Sequence, residues 1–317
     1  MSGRTLLSKM GPLLGLIGVF VFFTVAVWAH TGRNSFATWG NLQTIIIQSA
    51  IVGMAALGMT VIIISGGIDL SVGATVAVSS VVVAALLKFS SWPAFPAACG
   101  GILVGGLCGL INGTLVTRLH VVPFIITLGT SLMLRGVAEL LADEKTINPD
   151  SSGLDSLLDQ RGVFSPGLWM LALLGAAVSI LLHYTRFGRH VTAVGSNEQA
   201  ARLCGVPINR VKVLVYVLGG LLAGLSGVLQ YSRLTIGDPT SGPGLELDVI
   251  AAVVIGGGSL LGGEGSVLGS LLGAVIMMMI RSGCSQMGWR NPVTKIVAGA
   301  IIIVAVTLDR LRHRKIS

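Results

Sequence analysis

Long uncharged apolar runs, separated by short polar connectors, recur along the whole chain. They fall at 10–29, 43–65, 72–87, 94–116, 123–142, 167–184, 211–231, 249–262, 265–281 and 293–308. The runs are continuous rather than alternating, which predicts helices and argues against a membrane β-barrel. A helix needs roughly 17–25 apolar residues to cross the hydrocarbon core, and most runs meet that length. Those at 72–87 and 249–262 are short, as a broken or partly buried helix would be. The expectation is an all-α polytopic membrane protein of about ten spans, with eight as the lower count, forming a single transmembrane domain over 1–317.

Composition agrees. Of 317 residues 53% are hydrophobic and only 11% charged, whereas soluble domains carry roughly a quarter charged residues. The 44 glycines suit membrane helices, where they let backbones approach closely. The net charge of +8 forms no basic stripe and is accompanied by few aromatics, so nucleic acid is not implied. The charge is better explained by membrane orientation. With the N-terminus placed in the cytoplasm, Arg4, Lys9, Arg118, Arg186, Arg189, Arg202, Arg210, Lys212 and the basic C-terminal end lie inside. Outside, cations such as Lys88, Lys145 and Arg233 are offset by Asp143, Glu144, Asp150 and Asp155, with "RNPVTK" at 290–295 as a local exception. This orientation makes the polar loop 143–162 external and the basic loop 185–210 cytoplasmic, with both termini cytoplasmic. The first run resembles a signal peptide, with Val27 and Ala29 near a cleavage point, but its length favours an uncleaved helix. Cys99, Cys108, Cys204 and Cys284 form no CxxC pair and lie in different segments, so neither a disulfide framework nor a metal site is indicated.

One interruption stands out. "GGIDLSVGA" at 66–74 puts Gly66, Gly67 and Asp69 inside apolar sequence. The glycines break a helix cheaply. Asp69 can then cap the helix that follows, or the break can line a translocation path, since irregular backbone at membrane depth is tolerated beside a cavity or inside protein. Ser71, Asn112, Phe124 and Thr127 are further candidate pathway positions. So is Asp248, which a possible inverted repeat of two halves would place opposite Asp69. Arg135 and Glu139 stand at i, i+4 in the fifth run, suggesting a local ion pair or a path-lining pair. Gly101, Gly105, Gly109 and Gly113 recur every fourth residue, as do Gly265, Gly269 and Gly273, with Gly220 and Gly224 a shorter pair. Such ladders make smooth faces for tight helix packing. "GGGSLLGGEG" at 256–265 lacks the spacing of a phosphate loop, and the chain carries no GxxxxGK[ST] motif.

The loop 185–210 holds a compact local code. Ser196 and Gln199 fit a capping box, Asn197 to Cys204 fit about two helical turns, and Glu198 and Arg202 pair at i, i+4. Gly205 can end that helix and Pro207 prevents its resumption. The reading left by these residues is either a solvated connector or a knob that offers Ala200, Ala201 and Leu203 to a cytoplasmic partner.

Four stretches together resemble the permease subunits of carbohydrate ABC importers of the ribose/galactose/xylose type. They are "GMTVIIISGGIDLSVGA" (58–74), "NGTLVTRLHVVPFIITLGTSLMLRG" (112–136), "TRFGRHVTAVGSNEQAARLCGV" (185–206) and "GPGLELDVIAAVVIGGGSLLGGEGSVLG" (242–269). The resemblance implies a permease of the bacterial plasma membrane that is not itself an enzyme, needs no cofactor and forms a sugar pathway with a second permease subunit. It also implies a cytoplasmic ATPase and an extracytoplasmic sugar-binding protein. Gly188, Arg189, Ser196, Asn197, Glu198, Ala200, Ala201, Arg202, Leu203 and Gly205 would then form the ATPase-coupling loop. A carrier working alone is the competing reading, but a proton-coupled one usually embeds more ionisable groups than Asp69, Arg135 and Glu139.

Overall fold

The computed structural model describes residues 3–158, 165–290, 292–297, 299–301, 303 and 307. The remainder of the predicted loop 143–162 and of the tenth run lies outside the described residues, as does the basic C-terminal end. Apolar runs become helices α1 (Gly3–Thr31), α2 (Trp39–Ile64), α3 (Val72–Phe89), α4 (Ala94–Leu119), α5 (Pro123–Leu141) and α6 (Pro166–Tyr184). Two short helices follow, α7 (Arg186–Ser196) and α8 (Glu198–Leu203), and then α9 (Ile208–Leu234), α10 (Leu245–Ile255) and α11 (Val267–Gln286). Helix is also present at 292–297 and 299–301. Among the described residues eight helices, α1 to α6, α9 and α11, are long and apolar enough to cross a membrane. Ten full-length spans are therefore not observed.

The eighth apolar run is the main difference. Residues 249–262 were expected to form one helix, but α10 occupies only Leu245–Ile255. Its end is set by glycine. Gly257 adopts φ 92°, and the N–H groups of Gly257 and Gly258 turn back to the carbonyls of Val254 and Val253. Positive φ recurs at Gly262 and Gly263, so residues 256–266 form a tight turn instead of helix. The chain ahead of α10 is irregular, with turns closed by Ser241 N–H to the Asp238 carbonyl and Leu245 N–H to the Gly242 carbonyl. Gly237 exchanges backbone hydrogen bonds with Ile147 and packs on Val81 and Ala84 of α3. Gly242 packs on Gly73, in the first turn of α3. An irregular stretch running beside about 16 Å of α3, followed by about 16 Å of α10, matches a hydrocarbon core of about 30 Å. This crossing is half irregular and half helical, which hides its length from a helix-based reading.

Packing centres on α2 and α9. Every residue of α2 from Ser49 to Ile64 is buried, so its apolar run is a core helix walled by other helices. The glycine ladders pack as expected. Gly105 and Gly109 of α4 lie directly on the α9 backbone at Tyr216, Gly220 and Gly224. Gly58 of α2 meets Gly219 from the other flank, where a Cβ would come 2.9 Å from the Gly219 Cα. Gly269 and Gly273 of α11 abut the carbonyls of Gly256 and Ala252 on the α10 side. Membrane helices gain no hydrophobic drive from leaving lipid, so close backbone contact carries their association. Overpacking such a contact costs about 1–3 kcal/mol or more. Gly105→Leu is thus expected to lower the melting temperature of the purified protein, whereas Gly136→Leu, at a position where a Cβ would meet no atom within 4 Å, leaves it near wild type. Equal thermal stability of the two variants in detergent contradicts this packing account.

Candidate functional site

Residues 65–71 separate α2 from α3 and build a polar knot. Ser65 closes α2, Gly66 turns with φ 81°, and the Gly67 N–H donates to the Ile62 carbonyl at 3.0 Å. Asp69 is buried, and its Oδ1 accepts from the Ser71 N–H at 2.8 Å and from the Ser71 hydroxyl at 2.6 Å. Asn112 of α4 donates from Nδ2 to Ser71 Oγ at 2.7 Å. Thr127 of α5 accepts the Leu70 N–H at 3.1 Å, and the Tyr216 hydroxyl of α9 donates to the Ile68 carbonyl at 3.3 Å. The structure thus gathers Gly66, Gly67, Asp69, Ser71, Asn112 and Thr127 in one place. The aspartate does not cap α3 as a true N-cap; that position is Ser71, and Asp69 closes a turn two residues long ahead of it. Phe124 is outside the knot, with its side chain 46% exposed. Tyr216 was missed in the sequence, where one phenol in the run "VKVLVYVLGG" was the available signal.

Asp248 is outside the knot. It lies in the first turn of α10 and pairs with Arg281 of α11. Next to it, Glu246 caps its own helix by accepting the Gly244 N–H at 3.2 Å and lies 3.6 Å from Arg135 of α5. Arg135 therefore pairs across helices and not with Glu139, which is exposed. The physical reason is directional: cation before anion at i, i+4 is the weaker order on a helix, while Glu246 stands at a helix N-terminus where Arg135 can reach it. A Cβ at Gly73 would collide with the Glu246 carboxylate, so the first turns of α3 and α10 meet here.

The loop between α6 and α9 is more regular than expected. Thr185 caps α7 by accepting the Gly188 N–H at 3.2 Å. The cap of α8 is Asn197, whose Oδ1 accepts from Ala200 N–H at 2.9 Å. The predicted Ser196 capping box does not form: Ser196 ends α7 and its hydroxyl donates to the Thr192 carbonyl. Asn and Ser are comparable caps, and the direct α7-to-α8 junction leaves Asn197 as the extended residue between them. Gly205 ends α8 with φ 79°, as expected. Glu198 pairs with Arg202 at 3.3 Å and also with Lys212 of α9 at 2.6 Å. Ala200, Arg202 and Leu203 face outward, Leu203 being 90% exposed. Ala201, expected on that face, is buried, and Gly188 is buried against the Leu181 and Leu182 carbonyls; Arg189 is exposed. Gly195 of α7 rests against the Ile64 carbonyl and Gly263, and Gly263 N–H donates to that same carbonyl at 2.9 Å.

A family described as "Branched-chain amino acid transport system / permease component" matches residues 41–306. The chain belongs to this permease family. The ribose import permease of Escherichia coli (strain K12) is 37% identical over 98% of both chains. The fructose import permease of Rhizobium meliloti is 36% identical over 97% of this chain and 89% of its own. The L-arabinose ABC transporter permease of Azospirillum brasilense is 32% identical over 98% of this chain and 90% of its own. No solved structure matches the chain. In this permease Gly195 of α7 and the Gly263 N–H meet at the carbonyl of Ile64, the last residue of α2 before the knot.

Two outcomes follow from these contacts. Asp69→Asn keeps an acceptor for both Ser71 donors, whereas Asp69→Leu leaves them unmet; the leucine variant is expected to lose about 0.5–2 kcal/mol and the asparagine variant much less. Matching thermal stabilities in detergent would be evidence against this role of Asp69 in closing the turn ahead of α3. Glu198 is held below the usual carboxylate range, first by its hydrogen bond from Lys212 and further by Arg202. A carboxyl depressed on folding contributes stability above its unfolded pKa and loses it as pH falls through the folded value. The α8 tie is therefore intact at neutral pH and released in acid. Hydrogen exchange over 198–206, corrected for intrinsic rate, is expected to rise on acidification and, in Glu198→Gln, already at neutral pH; unaltered protection in that variant refutes the tie.

Proposed function

We propose that this permease is the membrane-spanning subunit of an ATP-driven importer and forms the pathway for a monosaccharide. The observation that carries the reading is the near full-length similarity to import permeases named for ribose, fructose and L-arabinose. The absence of a Walker-type loop from the sequence fits a motor held in a separate ATPase subunit. A binding protein on the outer side and a second permease, either a copy or a sister chain, complete the assembly in this reading. The Lys/Arg bias puts loop 185–210 and both termini in the cytoplasm and 143–162 outside.

In this arrangement α8 meets the ATPase. Its apolar tip, Leu203, is held out by a capped, glycine-stopped helix braced on α9 through Glu198 and Lys212. Exposed Ala200 permits close approach, and Arg202 rims the contact. Buried Ala201 belongs to the support of α8 instead.

Reconstituted proteoliposomes holding the permease, its ATPase and its binding protein test the function against a panel of pentoses, hexoses and leucine. Uptake of one sugar, dependent on ATP and binding protein, is expected; uptake of leucine alone overturns the sugar reading. Leu203→Asp is expected to cut both uptake and binding-protein-stimulated ATP hydrolysis by about tenfold or more, as loss of an interface anchor does, in protein of normal stability. Orientation is read from Cys204, which is exposed on α8: with the other cysteines replaced, an impermeant thiol reagent should label it only from the cytoplasmic side.

A further inference from the structure

Four charges meet in the membrane part of the fold. Glu246 and Asp248 open α10, Arg135 reaches Glu246 from α5, and Arg281 reaches Asp248 from α11. Arg135 is about 9 Å from the nearer end of α5 and Arg281 about 8 Å from that of α11. A guanidinium at such a depth commonly extends its stem toward the headgroups. Neither arginine does this; both turn to the carboxylates of α10. The array is nevertheless open on one side. The Arg281 side chain is 42% exposed, that of Arg135 22% and that of Glu246 20%. Charge left against acyl chains is among the costliest placements in a membrane protein. The surface shared by α5, α10 and α11 therefore meets water or protein and not lipid.

Two further features give this surface its chemistry. The pairing is loose on one side: Arg135 lies 3.6 Å from Glu246 Oε2, an ion pair too long for a hydrogen bond, so the partly exposed guanidinium keeps donors free for a polar visitor. The charges also balance, one guanidinium to each carboxylate. A neutral solute can pass without leaving an unmatched charge, whereas an ion would disturb a pair. Guanidinium donors and carboxylate acceptors in adjacent positions match hydroxyls, which both donate and accept.

We propose that the α5–α10–α11 face is the wall of the translocation path, and that the Arg135–Glu246 and Arg281–Asp248 pairs hydrogen-bond the hydroxyls of a neutral polyhydroxy solute as it crosses. This rests on the reading of the chain as a sugar permease. Leu247, between the two carboxylates and 50% exposed, and Leu132, one turn from Arg135 and 70% exposed, then border the path, while Leu173 of α6, 69% exposed, faces lipid.

The test uses the reconstituted complex with all four native cysteines replaced. Leu247→Cys and Leu132→Cys are expected to react with a charged, membrane-impermeant methanethiosulfonate, and more slowly while the transported sugar is being supplied. Leu173→Cys should stay unreactive. Arg281→Lys and Asp248→Asn are expected to cut uptake about tenfold, the loss of one charged hydrogen bond, at saturating sugar-loaded binding protein, with assembly and stimulated ATP hydrolysis close to wild type. Unreactive cysteines at both 247 and 132 through the whole ATP cycle mean that protein or lipid covers this face and overturn the proposal. Wild-type uptake in both charge variants overturns it as well. Failure of the sugar reading itself is distinct: the unaltered complex then takes up no sugar of the panel, while the labelling pattern depends on water access alone.

Discussion

Backbone that leaves a helix inside a bilayer must find its hydrogen bonds within the protein, because hydrocarbon offers none. Residues 65–71 show what that demand requires. The Gly67 N–H turns back to α2, the Leu70 N–H is met by Thr127, the Ser71 N–H by Asp69, and the Ile68 carbonyl by Tyr216. Those partners come from α5 and α9 as well as from the break itself, and Asn112 of α4 secures Ser71. Four helices are thereby held in register around one interruption. Asp69 has no cation partner among the described residues; its charge is met by hydroxyl and amide donors, with Asn112 one step behind.

The same demand explains α10. Its irregular lead-in finds partners in Ile147 and in the flank of α3, and its first turn is satisfied by Glu246. The cost of an unwound crossing is offset by packing so close that side chains are excluded. Glycines 105, 109, 219, 220 and 224 place α2, α4 and α9 backbone to backbone, which leaves the breaks walled by protein on most sides. Such contacts tolerate sliding poorly.

The α7–α8 pair is tied to both irregular segments. Glu198 joins α8 to the foot of α9, while Gly195 of α7 presses on the end of α2 and on the 262–263 turn that leads into α11. Both breaks thus touch one small, rigid, capped unit. The absence of any side chain at Gly195 is what allows the approach.

Much of this was readable from residue order. Length of apolar runs decided the helical membrane class, because hydrocarbon thickness sets a length that α1 to α6, α9 and α11 meet. The glycine spacing announced tight helix faces, and "SGGIDLS" announced a break, since both are local consequences of missing side chains and a missing donor environment. Even the stop at Gly205 is a property of one residue's φ. What local order could not decide was pairing. Arg135 chose Glu246, 111 positions away in the chain, over Glu139 in the next turn. Asp248 turned to Arg281, Ala201 turned inward, and residues 235–255 crossed half unwound because α3 lay alongside to hold them. Each of these outcomes depends on which helix stands next to which, and adjacency in a bundle arises only when the backbones close on one another.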